Sequence, residues 1–169
     1  KHHGHMGPAE IPGKREWTYR QVLWQAKQMG IALDMPLAHP FNSLSLLRLA
    51  VACSEDGAPN RYVCETIFRH VWQGGQAAED TNRLAQLSQA LAPKRDMQDA
   101  SVKDQLKHNT EQAIAQGVFG VPTFAVDDKL FWGLDALPML RHYIVKDPLF
   151  DESDWQSANS IKTGITRKL

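Results

Sequence analysis

Cysteine is almost missing from these 169 residues. There are two, Cys53 and Cys64. Their spacing is neither a CxxC redox pair nor a metal knuckle, so the chain carries no redox dithiol of its own. Two isolated thiols in helix-like stretches read as buried side chains of a protein kept in a reducing, cytoplasmic compartment. Net charge is missing as well: 19 Lys and Arg balance 19 Asp and Glu, for a formal charge of zero. A balanced chain has no long-range field with which to gather phosphate backbones or anionic lipid, which argues against nucleic-acid and membrane-surface partners. No apolar run approaches the ~20 residues needed to span a bilayer. Repeats and low-complexity runs are absent. So are an initiator Met and a signal peptide, the chain opening Lys1-His2-His3-Gly4-His5-Met6. With no acidic or Cys ligand beside these histidines, no metal site is assigned to them. A tag remnant and native sequence are the remaining readings of this opening.

What is present is ordinary globular material, 43% hydrophobic and 22% charged. The length fits one domain, or one domain with a small insert. Residues 1–13, rich in Gly, Pro and His, read as an exposed lead-in. Pro12 suits the first turn of a helix over Lys14–Met29, with Tyr19, Leu23 and Ala26 on one face and Gly30 as its stop. Pro36 and Pro40 keep the next stretch non-helical. Asn42 is the expected N-cap of a helix from Ser43 to about Glu55, with Leu44, Leu47 and Val51, beside Leu46 and Ala50, as its apolar face. A third helix is predicted over Asn60–Trp72, where Val63, Ile67 and Val71, and Cys64, Phe68 and Trp72, recur at about four residues. Asp80 or Thr81 caps a fourth, carrying Leu84, Leu87 and Leu91 and broken by Pro93. Ser101 caps a fifth, with Val102, Leu106, Ala113 and Ile114 inward and Gly117 as the stop.

After Gly117 the period changes. Thr123–Val126 and Lys129–Trp132 read as two strands joined by the two-residue turn Asp127-Asp128. A last helix is expected at about Ala136–Val145, and an irregular tail from Leu149 onward. A lone two-stranded hairpin is marginal in water. No other strand candidate is present, so the pattern suggests partner strands in sequence upstream of this chain. Just before the hairpin stands Gly117-Val118-Phe119-Gly120-Val121-Pro122-Thr123-Phe124. A Pro opening a strand after a β-branched residue is a candidate cis peptide, and ordinary trans Pro at an edge strand is the alternative. A cis bond would turn the Val121 backbone outward, where an extended peptide could pair with it.

GVFGVPTF, the following FWGLD and the helix after it resemble the second half of a DsbA-like thioredoxin fold. PAEIPGKREW at 8–17, HPFNSLSLLRL at 39–49 and VKDQLKHNTEQAIAQGVFGVPTF at 102–124 narrow the likeness. The chain is similar to the 2-hydroxychromene-2-carboxylate isomerase family and to its relatives, the kappa-class glutathione transferases. The resemblance implies an α/β fold with a large all-helical insert, this chain being mostly α with one C-terminal β-hairpin. It divides the chain into a lead-in at 1–14, a helical insertion at 15–116 and the C-terminal half of the thioredoxin-like domain at 117–169. It also favours native sequence over a tag at the N-terminus. The family's first strand–helix–strand, with the Ser that faces the glutathione sulfur, is expected upstream, so no catalytic residue is assigned in this chain.

The function implied is a glutathione-dependent cis/trans isomerase acting on a small aromatic conjugated substrate, expected as a cytoplasmic homodimer. Glutathione would carry the reactive sulfur, while the protein positions it and lowers its pKa. A glutathione transferase or thiol–disulfide oxidoreductase on the same fold is the alternative, and a non-catalytic helical interaction module a third. By the resemblance, glutathione is held by the Val121 backbone, by Pro122, and by Asp135 at the γ-glutamyl end; a plain helix N-cap is the other reading of Asp135. Lys14 corresponds to the lysine at the glycyl carboxylate, or is a solvated helix-start lysine. His5 stands where the family has an Asn. Leu134 and Ala136 replace the polar residue and the Arg that flank the family's Asp. Asn42 and Trp132 are substrate-cleft candidates; the alternatives are an N-cap for Asn42 and hairpin core packing for Trp132. Arg48 reads as a helix-face ion pair or a cleft residue, and His39 and His70 as structural.

Overall fold

The computed structural model describes residues 7–165. The chain separates into two compact units, with the boundary between Ala115 and Gln116.

The first unit is helical. Part of the expected lead-in forms a 3-10 turn, Pro8–Glu10. Helix α1, Pro12–Gln28, takes Pro12 in its first turn, where the missing N–H costs nothing. It stops as its glycine predicts. Gly30 sits at φ 66°. The N–H groups of Gly30 and Ile31 donate back to the carbonyls of Lys27 (3.2 Å) and Ala26 (2.9 Å), a Schellman closure. Of the predicted α1 face only Ala26 is buried, and Trp17 and Trp24 lie open.

Helix α2, Leu44–Ala52, is the centre of this unit. Its Leu46 and Leu49 pack with Val63, Ile67 and Val71 of α3, Arg61–Trp72, and with Leu87 and Leu91 of α4, Thr81–Leu91. Its Val51 and Ala52 pack with Val102 of α5, Ala100–Ala115. The face is the expected one only in part: Leu46 and Val51 are buried as expected, Leu44 and Leu47 are exposed, and Leu49, not among the expected residues, is buried. The helix also ends before Glu55. The Ala52 carbonyl accepts from the N–H groups of Lys94 and Arg95, at 3.0 and 3.2 Å. The Arg95 guanidinium donates to the carbonyls of Val51 and Ser54. A loop distant in sequence therefore takes up the carbonyls that another helical turn would have used. The caps of α3 and α4 follow the sequence. Asn60 Oδ1 accepts from Val63 N–H, and Asp80 Oδ1 from Arg83 N–H. Phe68, expected inward on α3, is exposed. Helix α5 starts one residue before its expected cap, Ser101.

In the second unit β1, Thr123–Val126, pairs antiparallel with β2, Lys129–Trp132, in the register Thr123↔Trp132 to Val126↔Lys129. Asp127 in the turn sits at φ 54°, the left-handed geometry that matches strand twist. Phe131 faces inward onto Ala136, Leu140 and Phe150. A 3-10 turn, Leu134–Ala136, leads into α6, Leu137–Ile144, whose Leu140 completes that core. The tail is regular where irregular chain was expected. A 3-10 turn at Pro148–Asp151 precedes α7, Ser153–Ser157, and a further 3-10 turn, Ala158–Ser160. Asp147 Oδ1 caps the first turn through Leu149 N–H. Phe150 is buried there, with the Trp155 ring edge-on at 4.9 Å. Two apolar rings too few for a periodic signal are enough to fold the tail back once a core awaits them.

Candidate functional site

The second unit gathers four of the predicted residues at the open end of its hairpin. Gly117 ends the preceding helix at φ 82°. The chain then turns at Gly120–Thr123, where the Thr123 hydroxyl donates to the Gly120 carbonyl at 2.6 Å. The Val121–Pro122 peptide bond is cis. Gly133 N–H donates to the Pro122 carbonyl at 2.9 Å, extending the ladder by one step beyond Thr123↔Trp132. Val121 stands at the crest of this turn, 87% exposed. Neither its N–H nor its C=O takes part in a hydrogen bond among the described residues.

Trp132 and Phe131 are neighbours on β2 and so point to opposite faces. Phe131 fills the core, so the core-packing reading of Trp132 does not hold. Trp132 is 53% exposed, its indole lying against Gly120 and 5.2 Å from the Phe119 ring. Asp135 is exposed and is not an N-cap. Gly133 occupies that position before the 3-10 turn, and no side chain caps it. The Asp135 carboxylate instead folds back against Gly133, whose φ of 92° and missing side chain make room for it. The helical turn after Gly133 and the carboxylate of Asp135 thus stand beside the Pro122 carbonyl through a single residue.

The other candidates belong to the first unit, apart from His5, which lies outside the described residues. Lys14 is exposed in the first turn of α1 and forms no ion pair among the described residues. Asn42 is not the N-cap of α2, a place held by Ser43. It lies one residue earlier, its Oδ1 accepting from Leu44 N–H at 3.1 Å while its own N–H donates to Glu79 Oε2 at 3.0 Å. Arg48 makes no ion pair among the described residues, and its Nε is buried without a hydrogen-bond partner. The expected helix-face salt bridge is therefore not formed. His39 and His70 are anchored structurally. His70 Nε2 faces the Ala78 carbonyl at 2.9 Å. The Tyr19 hydroxyl donates its one proton to the His39 carbonyl at 2.8 Å, so its oxygen accepts from His39 Nδ1–H at 2.9 Å. Burial holds the His39 imidazole below its usual pKa.

Both cysteines are free and half-buried, and burial pushes the Cys53 thiol up, away from nucleophilic use. Among the described residues no three His, Cys, Asp or Glu side chains converge as for a metal ion. No helix there is long and apolar enough to cross a membrane. An open apolar groove of about 320 Å³ lies between Val22, Ile31, Leu33, Phe68 and Trp72. None of the predicted site residues lines it. Sequence reasoning missed three residues of the hairpin site: Phe119, Gly120 and Gly133. The signal was available in the glycines, which stand beside the two aromatic positions of GVFG and FWG.

The DSBA-like thioredoxin domain family matches residues 1–145. A 2-hydroxychromene-2-carboxylate isomerase of Pseudomonas putida is 31% identical over 148 residues, 82% of this chain and 70% of that protein. Another, from Pseudomonas sp. (strain C18), is 30% identical over 159 residues, 88% of this chain and 72% of its own. Glutathione s-transferase kappa 2 of Caenorhabditis elegans is 24% identical over 158 residues, 82% of this chain and 70% of that protein. A solved structure of 2-hydroxychromene-2-carboxylate isomerase has the same fold, at TM-score 0.70 and 22% identity, over 94% of this chain and 76% of that one. The helices, the hairpin and these likenesses agree: the chain belongs to the DSBA-like thioredoxin domain family, with 2-hydroxychromene-2-carboxylate isomerases and a kappa glutathione transferase among its relatives.

Proposed function

We propose that the protein is a glutathione-dependent cis/trans isomerase of the 2-hydroxychromene-2-carboxylate isomerase type, acting on a small aromatic conjugated substrate. The observation that carries this reading is Val121. An exposed residue whose N–H and C=O take no partner among the described residues, two positions before β1, is a docking edge for an extended peptide backbone. Glutathione is such a peptide, and it brings a nucleophilic thiol that the half-buried Cys53 and Cys64 do not offer. Val121 would pair with its cysteinyl backbone, next to Pro122. At the γ-glutamyl end Asp135 would accept from the amino group, while the N–H groups of Leu134 and Asp135, which take no partner among the described residues, suit the carboxylate. By the resemblance Lys14 is proposed for the glycyl carboxylate, His5 as a further glutathione-binding residue, and Asn42 and Trp132 for the substrate. The residue that activates the sulfur is not assigned to this chain.

The transferase reading stays in view because a kappa glutathione transferase is among the relatives. It shares every binding residue above and differs in whether the sulfur stays on the product. The free thiols support a reducing, cytoplasmic setting. A homodimer is the proposed assembly, to be read by sedimentation. The deciding experiment incubates the full-length protein with glutathione and 2-hydroxychromene-2-carboxylate. The expected result is a spectral change that requires glutathione and leaves it unconsumed. Consumption into a conjugate would favour the transferase. No change, together with no glutathione binding by calorimetry, would remove both readings.

A further inference from the structure

Two glycines of the GVFG stretch are there for different reasons. At Gly117 the backbone, at φ 82°, asks for glycine. At Gly120 it does not: φ lies outside the left-handed region, and the backbone alone would accept any residue. What excludes a side chain at 120 is Trp132. A Cβ there would overlap the indole Nε1 and come within 3.1 Å of Cε2 and 3.2 Å of Cδ1. The Gly120 backbone is tied down by the Thr123 hydroxyl on its carbonyl, so it cannot retreat freely. The indole is held from another side by Phe119, the two ring planes inclined at 57°. Both rings are more than half exposed, and they lie next to the open Val121.

We propose that Gly120 is a positioning residue: by having no side chain it seats the Trp132 indole against the backbone, making the wall on which a planar aromatic ligand stacks beside Val121. This rests on the reading of Trp132 as a substrate-facing residue and adds the element that places it. Two exposed, mutually braced rings offer a preordered π surface, which a loose indole would not.

The test uses the full-length protein with Gly120→Ala, Trp132→Leu and the double variant. One readout is the Trp132 indole N–H resonance by heteronuclear NMR, identified by its loss in Trp132→Leu. The other is the affinity for 2-naphthoate as a planar aromatic probe, with glutathione affinity measured in parallel. Gly120→Ala is expected to move the Trp132 resonance and to weaken 2-naphthoate by about two- to twelvefold, the range of a lost aromatic contact, with glutathione affinity changed by less than about twofold. In the Trp132→Leu background, Ala at 120 is expected to cost nothing further. If Gly120→Ala unfolds the unit, the double variant should refold it, because the obstacle has gone. An unmoved resonance, an undiminished penalty in the Trp132→Leu background, a double variant that stays unfolded, or no 2-naphthoate binding by the wild type would each overturn the proposal. Loss of glutathione binding alone would sink the functional reading and leave the Gly120–Trp132 arrangement standing.

Discussion

The two units bury different chemistry. The first packs aliphatic side chains from three helices around Leu49, which is 1% exposed, and each helix brings several. The second has four buried residues among those described, two of them phenylalanines. Tyr143 lies between these two, at 5.3 Å from the Phe131 ring and 5.1 Å from Phe150, with Trp155 beyond. A core of repeated aliphatic contacts spreads its stability over many small terms. A core of a few rings concentrates it. The unit with the thinner core is the one that carries the open Val121 edge, as expected where backbone groups are left unpaired for a partner rather than spent on the fold.

That contrast can be broken most directly at Phe131. Phe131→Ala should cost about 3–5 kcal/mol and abolish the near-ultraviolet circular dichroism of the aromatic cluster while the far-ultraviolet helical signal persists. A simultaneous loss of both signals would show that the units unfold as one. The reciprocal change, Leu49→Ala, should cost about 2–5 kcal/mol, lower the helical melting midpoint and leave the aromatic signal in place. A smaller effect is expected at Gly133→Ala. A φ of 92° disfavours any L-residue, and the added methyl meets the Asp135 carboxylate. A loss of about 1–2 kcal/mol in thermal stability should accompany weaker glutathione binding. Stability loss with unchanged binding would take Asp135 out of the site. In the first unit Asn60→Ala should cost about 1 kcal/mol, through the N–H of Val63 left without its cap.

The smallest expected effect is that of pH. Burial lowers the His39 pKa below the ordinary histidine value of 6.5 in the folded protein, so the unfolded chain takes up the proton first as pH falls. The stability contributed is complete above that value and is lost as pH falls from there through the folded-state pKa. A wild-type melting midpoint that declines across this window, and a flatter profile in His39→Asn, are the expected outcomes. Equal slopes would mean that His39 does not govern the dependence.

Punctuation was legible in the sequence. Pro12, Gly30, Asn60, Asp80 and Gly117 start or stop helices where single-residue chemistry says they should, and Asp127-Asp128 sets the hairpin register. These are local effects, decided by one residue's φ, donor or side-chain oxygen within a few positions along the chain. The site residues were legible only as a resemblance. Val121, Pro122, Trp132 and Asp135 do lie at one end of the hairpin, and of the readings weighed for them it is the two structural ones that fail: Asp135 caps nothing, and Trp132 faces outward.

Partnership rather than punctuation decided the remainder. Which stripe of α2 is buried depends on the side chains of α3, α4 and α5, and where that helix ends depends on Lys94 and Arg95, some forty residues away. α1 shows two tryptophans to solvent because amphipathic pattern does not say which face meets a core. The tail folds because Phe150 finds Phe131's cluster, and no periodicity in the tail announces it. The sequence alone determined the elements, since their signals are short in range. Only the tertiary structure decided which apolar side chains are core and which are surface, because burial is a relation between segments that the chain order does not contain.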